Sequence, residues 1–296
     1  MKKKLHLKKK YKVMIVISLV FIALIMWSRY VSTAGLVIKE YKVINNNIPT
    51  SFEGLKIVHF TDVHYGRTIN NKELEYFVDE VNALKPDLIF FTGDLIDRDT
   101  KVTSEIKSEV INILSKLDAS IGKYAITGNH DFETKEYDNI IKDSGFIDLD
   151  NNYDIIYSSS YETIYIAGLE SEIKGHPNVK SVTEYLDAKV TTGEGEIIPA
   201  NDIPPYKIML LHTPDTIAKV KNYNFDLVLA GHSHNGQVRL PFVGALLKPV
   251  GAKNYYEPYY KINNTDLYIS GGLGTSNLNF RFFNKPSFNF YRLVTK

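Results

Sequence analysis

The sequence predicts an α/β domain held behind a membrane-spanning segment, and three observations predict it. A lysine-rich head runs straight into an apolar stretch. From Val37 onward, short apolar runs alternate with segments of helical period. The apolar runs repeatedly end beside Asp, Asn or His, often with a glycine next to them. Alternating strand and helix argues for sheet covered by helices.

The head, residues 1–12, holds seven lysines, and residues 13–27 are apolar except for Ser18. A basic flank stays in the cytoplasm and sends the following chain across the bilayer. From Tyr11 to Tyr30 there are about twenty residues, enough for a hydrocarbon core of ~30 Å when Lys12 and Arg29 snorkel to the interfaces. Residues 13–30 are therefore expected to be a signal anchor, with Trp27 and Tyr30 in the outer aromatic belt. Residues 35–296 then form the folded domain, at the outer face of the cell membrane. Ser32 and Ala34 also make a small-x-small cleavage site, so a cleaved signal peptide and a secreted domain are the competing expectation. No two arginines are adjacent, which speaks against twin-arginine export.

Composition narrows the function. Beyond the lysine head, 28 basic residues face 34 acidic ones, a balance with no electrostatic footprint for nucleic acid. The chain has no cysteine, which excludes disulfides, zinc–thiolate sites and cysteine nucleophiles; a metal must be held by nitrogen and oxygen.

Within the domain, residues 37–43 and 55–60 read as strands. Asn71 is expected to cap a helix carrying Leu74, Phe77, Val78, Val81 and Leu84 on one face and ending at Pro86. Residues 88–92 have the continuous apolar character of a buried strand. Ser104 is expected to cap a helix presenting Ile106, Val110, Ile113, Leu114 and Leu117. Residues 124–127 form a further strand, 135–142 a helix and 153–168 a pair of strands. Residues 188–204 read as a loop. Strands resume at 207–211 and 226–230, with a short helix between them, and residues 267–294 are strand-like.

The chemistry sits after the strands. Asp62 and His64 follow the second, Asp94 the third, and Asn129 and His130 the next; His212 follows residues 207–211, and His232 and His234 follow 226–230. Open α/β sheets place their sites at these carboxyl ends. One such turn is weak testimony, since a strand-end aspartate is commonly a turn former. His6, His59 and His176 lie outside the pattern and are expected to be structural. Five such turns together make a site for two divalent ions about 3.5–4 Å apart, which need a bridging carboxylate and neutral imidazoles. Asp94 is the natural bridge. Asp62, His64 and His234 complete one ion, and Asn129, His212 and His232 the other. Two such ions activate a water and neutralise phosphate charge. Mn, Zn, Fe and Co all suit this donor set.

In order, the motifs stand as Asp62-x-His64, Gly93-Asp94-Leu95-Ile96-Asp97-Arg98, Gly128-Asn129-His130-Asp131, His212 and Gly231-His232-Ser233-His234. The chain thereby resembles the calcineurin-like metallophosphoesterases. The resemblance implies a four-layer fold, with two mixed β-sheets sandwiched together and flanked by helices, and the same ligand assignment. It further implies that His130 protonates the leaving oxygen, that Asp97 orients His130, and that Arg98 contacts phosphate. Ile48-Pro49, the stretch from His234 to Pro241, Gly272-Leu273-Gly274-Thr275 and Arg281 are similar to the membrane-associated YaeI/YkuE-type branch of that family. Pro286-Ser287 departs from it, because an acidic residue usually follows that proline. The expected activity is hydrolysis of a phosphodiester or pyrophosphate bond on an envelope, cell-wall or lipid-linked substrate. A phosphomonoesterase or protein phosphatase, and an inactive membrane-anchored binding protein, are the alternatives. The aromatic run 255–260 is expected to be strand packing, with a lipid or sugar contact as the other reading.

Overall fold

The computed structural model describes residues 8–192, 196–199 and 201–296; most of the lysine head, with His6, lies outside the described residues. The apolar segment is helical from Lys9 to Met26 (α1) and widens into a π turn over Trp27–Val31. Together these make 23 residues, within which a stretch of 18 has a mean hydropathy of 2.2, and no residue of α1 is buried by the rest of the described chain. A helix apolar on all sides and uncovered by protein is a candidate membrane span.

The body begins with β1 (Val37–Asn45) and β2 (Lys56–Phe60), followed by α2 (Asn71–Leu84) and β3 (Leu88–Phe91). Next come α3 (Ser104–Leu114), β4 (Gly122–Ala125), α4 (Tyr137–Asp143) and the short β5 (Ile147–Asp148). The antiparallel pair β6 (Asn152–Tyr157) and β7 (Thr163–Gly168) leads to α5 (Val179–Asp187). Residues 188–204, expected as loop, carry a small antiparallel ribbon of β8 (Lys189–Thr191) and β9 (Ile197–Pro199). All six of its residues are exposed, so no buried face imprints an apolar alternation on the sequence. Then follow β10 (Tyr206–Leu211), α6 (Ile217–Val220), β11 (Leu227–Ala230), and a hairpin of β12 (Arg239–Leu240) and β13 (Gly244–Ala245). The chain ends with β14 (Tyr259–Ile262), β15 (Thr265–Ile269) and β16 (Ser287–Thr295).

Both helix starts near the site lie one residue earlier than expected. Asn70 caps α2, its side chain accepting from Lys72 N at 2.9 Å while Glu73 accepts from Asn70 N at 3.1 Å. Thr103 caps α3 by accepting from Ile106 N at 3.3 Å. Either residue of each polar pair can cap a helix, and only the backbone path selects between them.

Two six-stranded mixed sheets result, in the orders β1-β16-β2-β3-β4-β5 and β14-β15-β11-β10-β7-β6. Side chains alternate across each strand. On β2, Ile57 joins Leu88, Phe90, Ile164, Ile208, Leu227 and Leu229 between the sheets, whereas Val58 and Phe60 face α2, α3 and α4. Helices α5 and α6 cover the far side of the second sheet with Val182, Ile217 and Val220. The four layers are thus helix, sheet, sheet, helix. Strands β2, β3 and β4 run parallel as neighbours, as do β10 and β11, so their carboxyl ends gather at one rim.

The end of the aromatic run, Tyr259 and Tyr260, lies in strand β14, whereas residues 255–258 precede it. Tyr255 and Tyr260 lie against the core of the second sheet, and Tyr259 sits 4.9 Å from Tyr268, ring centre to ring centre.

Candidate metal centre

Every residue singled out at a strand end comes to this rim. Five of them, Asp62, His64, Asp94, His232 and His234, have left-handed backbones with φ from 45° to 62°. Such values cost energy in non-glycine residues and persist where the surroundings over-determine them. Here the surroundings do so. Asp62 N donates to Gly93 O at 2.9 Å and His64 N to Asp94 O at 3.1 Å, locking the first turn to the second. His232 N donates to the Asp62 carboxylate at 2.8 Å, locking the fifth turn to the first. Two glycines let these turns touch. A Cβ on Gly128 would lie 2.2 Å from Asp94 Oδ1, and one on Gly231 would lie 2.1 Å from Thr61 Oγ1.

Donor atoms then converge in three overlapping groups, each within 4.8 Å: Asp62, His64 and His234; Asp94, His212 and His232; and His64, Asp94 and His130. Asp94 belongs to two of the groups. Its Oδ2 is 3.4 Å from His212 Nε2 and 3.7 Å from His64 Nε2. Asp62 Oδ1 is 3.4 Å from His234 Nε2. Asn129 Oδ1 lies 3.2 Å from His212 Nε2. His212 and His232 are each oriented by a carbonyl at 2.7 Å, Thr92 O on Nδ1 and Val250 O on Nε2 respectively. A ligand imidazole held in one tautomer by its second nitrogen is a recurrent feature of metal sites.

The donor set passes a test of fit. Asp62 Oδ1 and both ring nitrogens of His64 are buried without a hydrogen-bond partner. Orphaned buried polar atoms are costly, and three in one cluster of carboxylate and imidazole call for a cation. Burial, then the charge on His212, hold His232 down to about 4; burial holds His234 down to about 3 despite Asp62 nearby. Both are therefore neutral nitrogen donors at pH 7. Burial opposes the charged form of His212 too, but Asp94 outweighs it and raises His212 to about 9.

The structure corrects one expected contact. Asp97 makes no hydrogen bond to His130 among the described residues. Its Oδ2 accepts from Arg67 Nε at 2.8 Å and lies 3.7 Å from His64 Nδ1. Arg67 comes from the turn before α2, and its guanidinium draws the carboxylate toward the first motif. His130 is buried, with Nε2 3.9 Å from Asp94 Oδ2. Arg98 is exposed and donates to Asn277 Oδ1 at 2.6 Å. His130, Arg98, Asn129 and Asp94 line a cleft of about 310 Å³ that opens over the centre, with Leu247, Lys248 and Leu278 on its far wall. His59, expected to be structural, is buried against Thr92 Oγ1 at 2.9 Å, and His176 is exposed away from the centre.

Two residues of the centre were not expected from their motifs. The Asp131 carboxylate accepts from Asp94 N at 2.7 Å, Leu95 N at 2.8 Å and Gly128 N at 2.7 Å, holding two motif turns together. The only signal for it is the last letter of Gly-Asn-His-Asp. Arg281 is fully buried; its Nη2 donates to Gly271 O at 2.8 Å and Gly272 O at 3.0 Å, and lies 3.3 Å from His234 Nδ1.

Parallel strand ends gathered at one rim, a carboxylate shared by two donor groups, and neutral imidazoles fit a dinuclear metal hydrolase. Residues 55–236, more than half of the chain, match the calcineurin-like phosphoesterase family model. The chain is 32% identical over 270 residues to the uncharacterized metallophosphoesterase YkuE of Bacillus subtilis, covering 90% of this chain and 88% of that one. It is 29% identical over 276 residues to the UDP-2,3-diacylglucosamine pyrophosphatase LpxG of Chlamydia muridarum, covering 79% and 82%. It is 28% identical over 239 residues to a zebrafish (Danio rerio) transmembrane protein with a metallophosphoesterase domain, covering 77% of this chain and 50% of that one. The protein belongs to the calcineurin-like metallophosphoesterases. It is a phosphate-ester hydrolase whose cofactors are two divalent metal ions.

Proposed function

We propose that this enzyme hydrolyses a phosphodiester or pyrophosphate bond in an envelope or lipid-linked substrate, from the outer face of the membrane that holds α1. The observation that carries the reading is the cluster of Asp62, His64, Asp94, His212, His232 and His234 beneath an open cleft, in which Asp62 Oδ1 and both ring nitrogens of His64 are buried without a partner. Asp62, His64 and His234 would hold one ion, Asn129, His212 and His232 the other, and Asp94 would serve both. When bound, the ions supply an activated water and neutralise charge on the phosphate. His130 would protonate the leaving oxygen, a role that matters most for a poor alkoxide leaving group. Asp97 places a negative charge 3.7 Å from His64 Nδ1, and Arg98, steadied by Asn277, meets a phosphate oxygen at the rim of the cleft. The pyrophosphatase named among the relatives supports an acylated, phosphate-bearing substrate. Topology follows from the lysine head, which stays cytoplasmic and leaves the body outside.

The test is turnover of bis-p-nitrophenyl phosphate by the full chain in detergent, after chelation and readdition of Mn²⁺ or Zn²⁺. Restored turnover that Asp94→Ala abolishes, and that His130→Ala cuts by roughly 10²–10⁴-fold, is expected. Failure to bind either ion would overturn the assignment. A faster rate on p-nitrophenyl phosphate would replace the diesterase reading with a monoesterase.

A further inference from the structure

The hairpin of β12 and β13 and the loop after it leave Leu240, Phe242, Val243, Leu246, Leu247 and Val250 exposed, Phe242 completely. A soluble surface rarely carries so dense an apolar patch without a use for it. Phe242 also has a left-handed φ of 65°, a strained conformation for a bulky residue, and nothing among the described residues covers it.

The position of the hairpin says what covers it. Arg239 N donates to Phe282 O at 2.9 Å and Phe282 N to Gln237 O at 3.1 Å, so the hairpin is bonded to Phe282 and the segment around it. The same segment grips the outer end of the apolar helix. Arg281 N donates to Ser28 O at 3.1 Å, and Ser28 Oγ donates to Arg281 O at 2.6 Å in a buried contact. Ser28 sits in the π turn beside Trp27 and Tyr30, both exposed aromatics of the interfacial kind. One short segment therefore joins the apolar hairpin to the point where the helix leaves the bilayer. The loop after the hairpin also reaches the metal centre, because Val250 O holds His232 Nε2 and Leu247 and Lys248 line the cleft.

We infer that the 240–250 hairpin is a second membrane contact, dipping its apolar tip into the lipid surface beside the anchor. The inference rests on the membrane reading of α1 given above. The hairpin turns the cleft toward the headgroup layer, so that a phosphate carried on a lipid reaches His130 and Arg98 without leaving the bilayer. Lys248, half-buried on the cleft wall with its amine 3.7 Å from the centre of the Tyr256 ring, supplies the cation at that depth. Amphipathic elements bind interfaces in this way, by apolar burial together with cation–headgroup attraction.

The absence of cysteine permits a direct test. Single cysteines at Phe242, at Ile17 in the helix and at Tyr161 carry an environment-sensitive fluorophore on the full chain in phosphatidylcholine–phosphatidylglycerol vesicles. Tyr161 is exposed and lies before β7, at the end of the second sheet opposite the metal rim. Quenching by lipid-borne spin labels is expected at 242 and at 17, but not at 161. Quenching at 17 alone, with 242 open to aqueous iodide, overturns the hairpin contact and leaves the anchor standing. A 242 probe shielded from both quenchers means that protein covers the tip, which also overturns it. No lipid quenching at 17 removes the anchor reading and this inference with it. Val243→Cys is the second position should the Phe242→Cys chain fail to fold.

Discussion

Five residues of the metal rim and Phe242 at the hairpin tip share the same unfavourable left-handed backbone, yet their surroundings are opposite. At the rim each strained turn is tied to another turn, and the Asp62 and Asp94 carboxylates each accept a backbone N–H from a different motif, His232 and His130 respectively. At the hairpin the strained residue is fully exposed among the described residues. Strain that the fold over-determines preorganises a site.

The comparison breaks most visibly at Asp131. Asp131→Ala leaves three buried N–H groups without an acceptor, and an expected loss of about 3–5 kcal/mol follows from such orphans acting together. Urea unfolding of the full chain in detergent measures it, and a loss below about 1 kcal/mol would mean that the rim is not held by this carboxylate.

A smaller effect is expected where the two regions meet. Lys39 donates to Asn235 Oδ1 at 2.9 Å, between the last motif and the hairpin. Burial, then repulsion from Arg281 and Arg239, hold its amine down to about 8, below the 10.5 of a free lysine. The folded state therefore binds fewer protons than the unfolded state between these values. The penalty is full below about 8 and fades as pH rises toward 10.5. Relative to Lys39→Met, the wild-type chain should gain about 1–3 kcal/mol across that window. Parallel pH-dependent unfolding curves for the two would show that Lys39 titrates normally.

The smallest effect is expected at the tip. Phe242→Ser should change stability in detergent by no more than about 0.5 kcal/mol, as for surface positions without packing. A larger loss, measured in the same unfolding assay, would place the hairpin with the rim and end the contrast.

Much of this was legible in the sequence because it is local. Apolar runs and helical period located the main strands and helices, and the five turns announced themselves by residue type at strand ends. Strands β8 and β9 were missed because an exposed ribbon leaves no alternation. Caps were displaced by one residue because Asn70-Asn71 and Thr103-Ser104 each offer two competent side chains.

The sequence by itself determined the family, the donor set and the apolar helix, since each is written in residue identity and short-range order. Tertiary structure alone decided that Asp97 turns to Arg67 and His64, that Asp131 binds two motif turns, and that Arg281 lies between the helix and His234. It also decided that the hairpin stays bare beside Ser28, whose hydroxyl bonds a carbonyl 253 residues away. Contacts at such separation depend on how two sheets meet in space, and no window of sequence contains both partners.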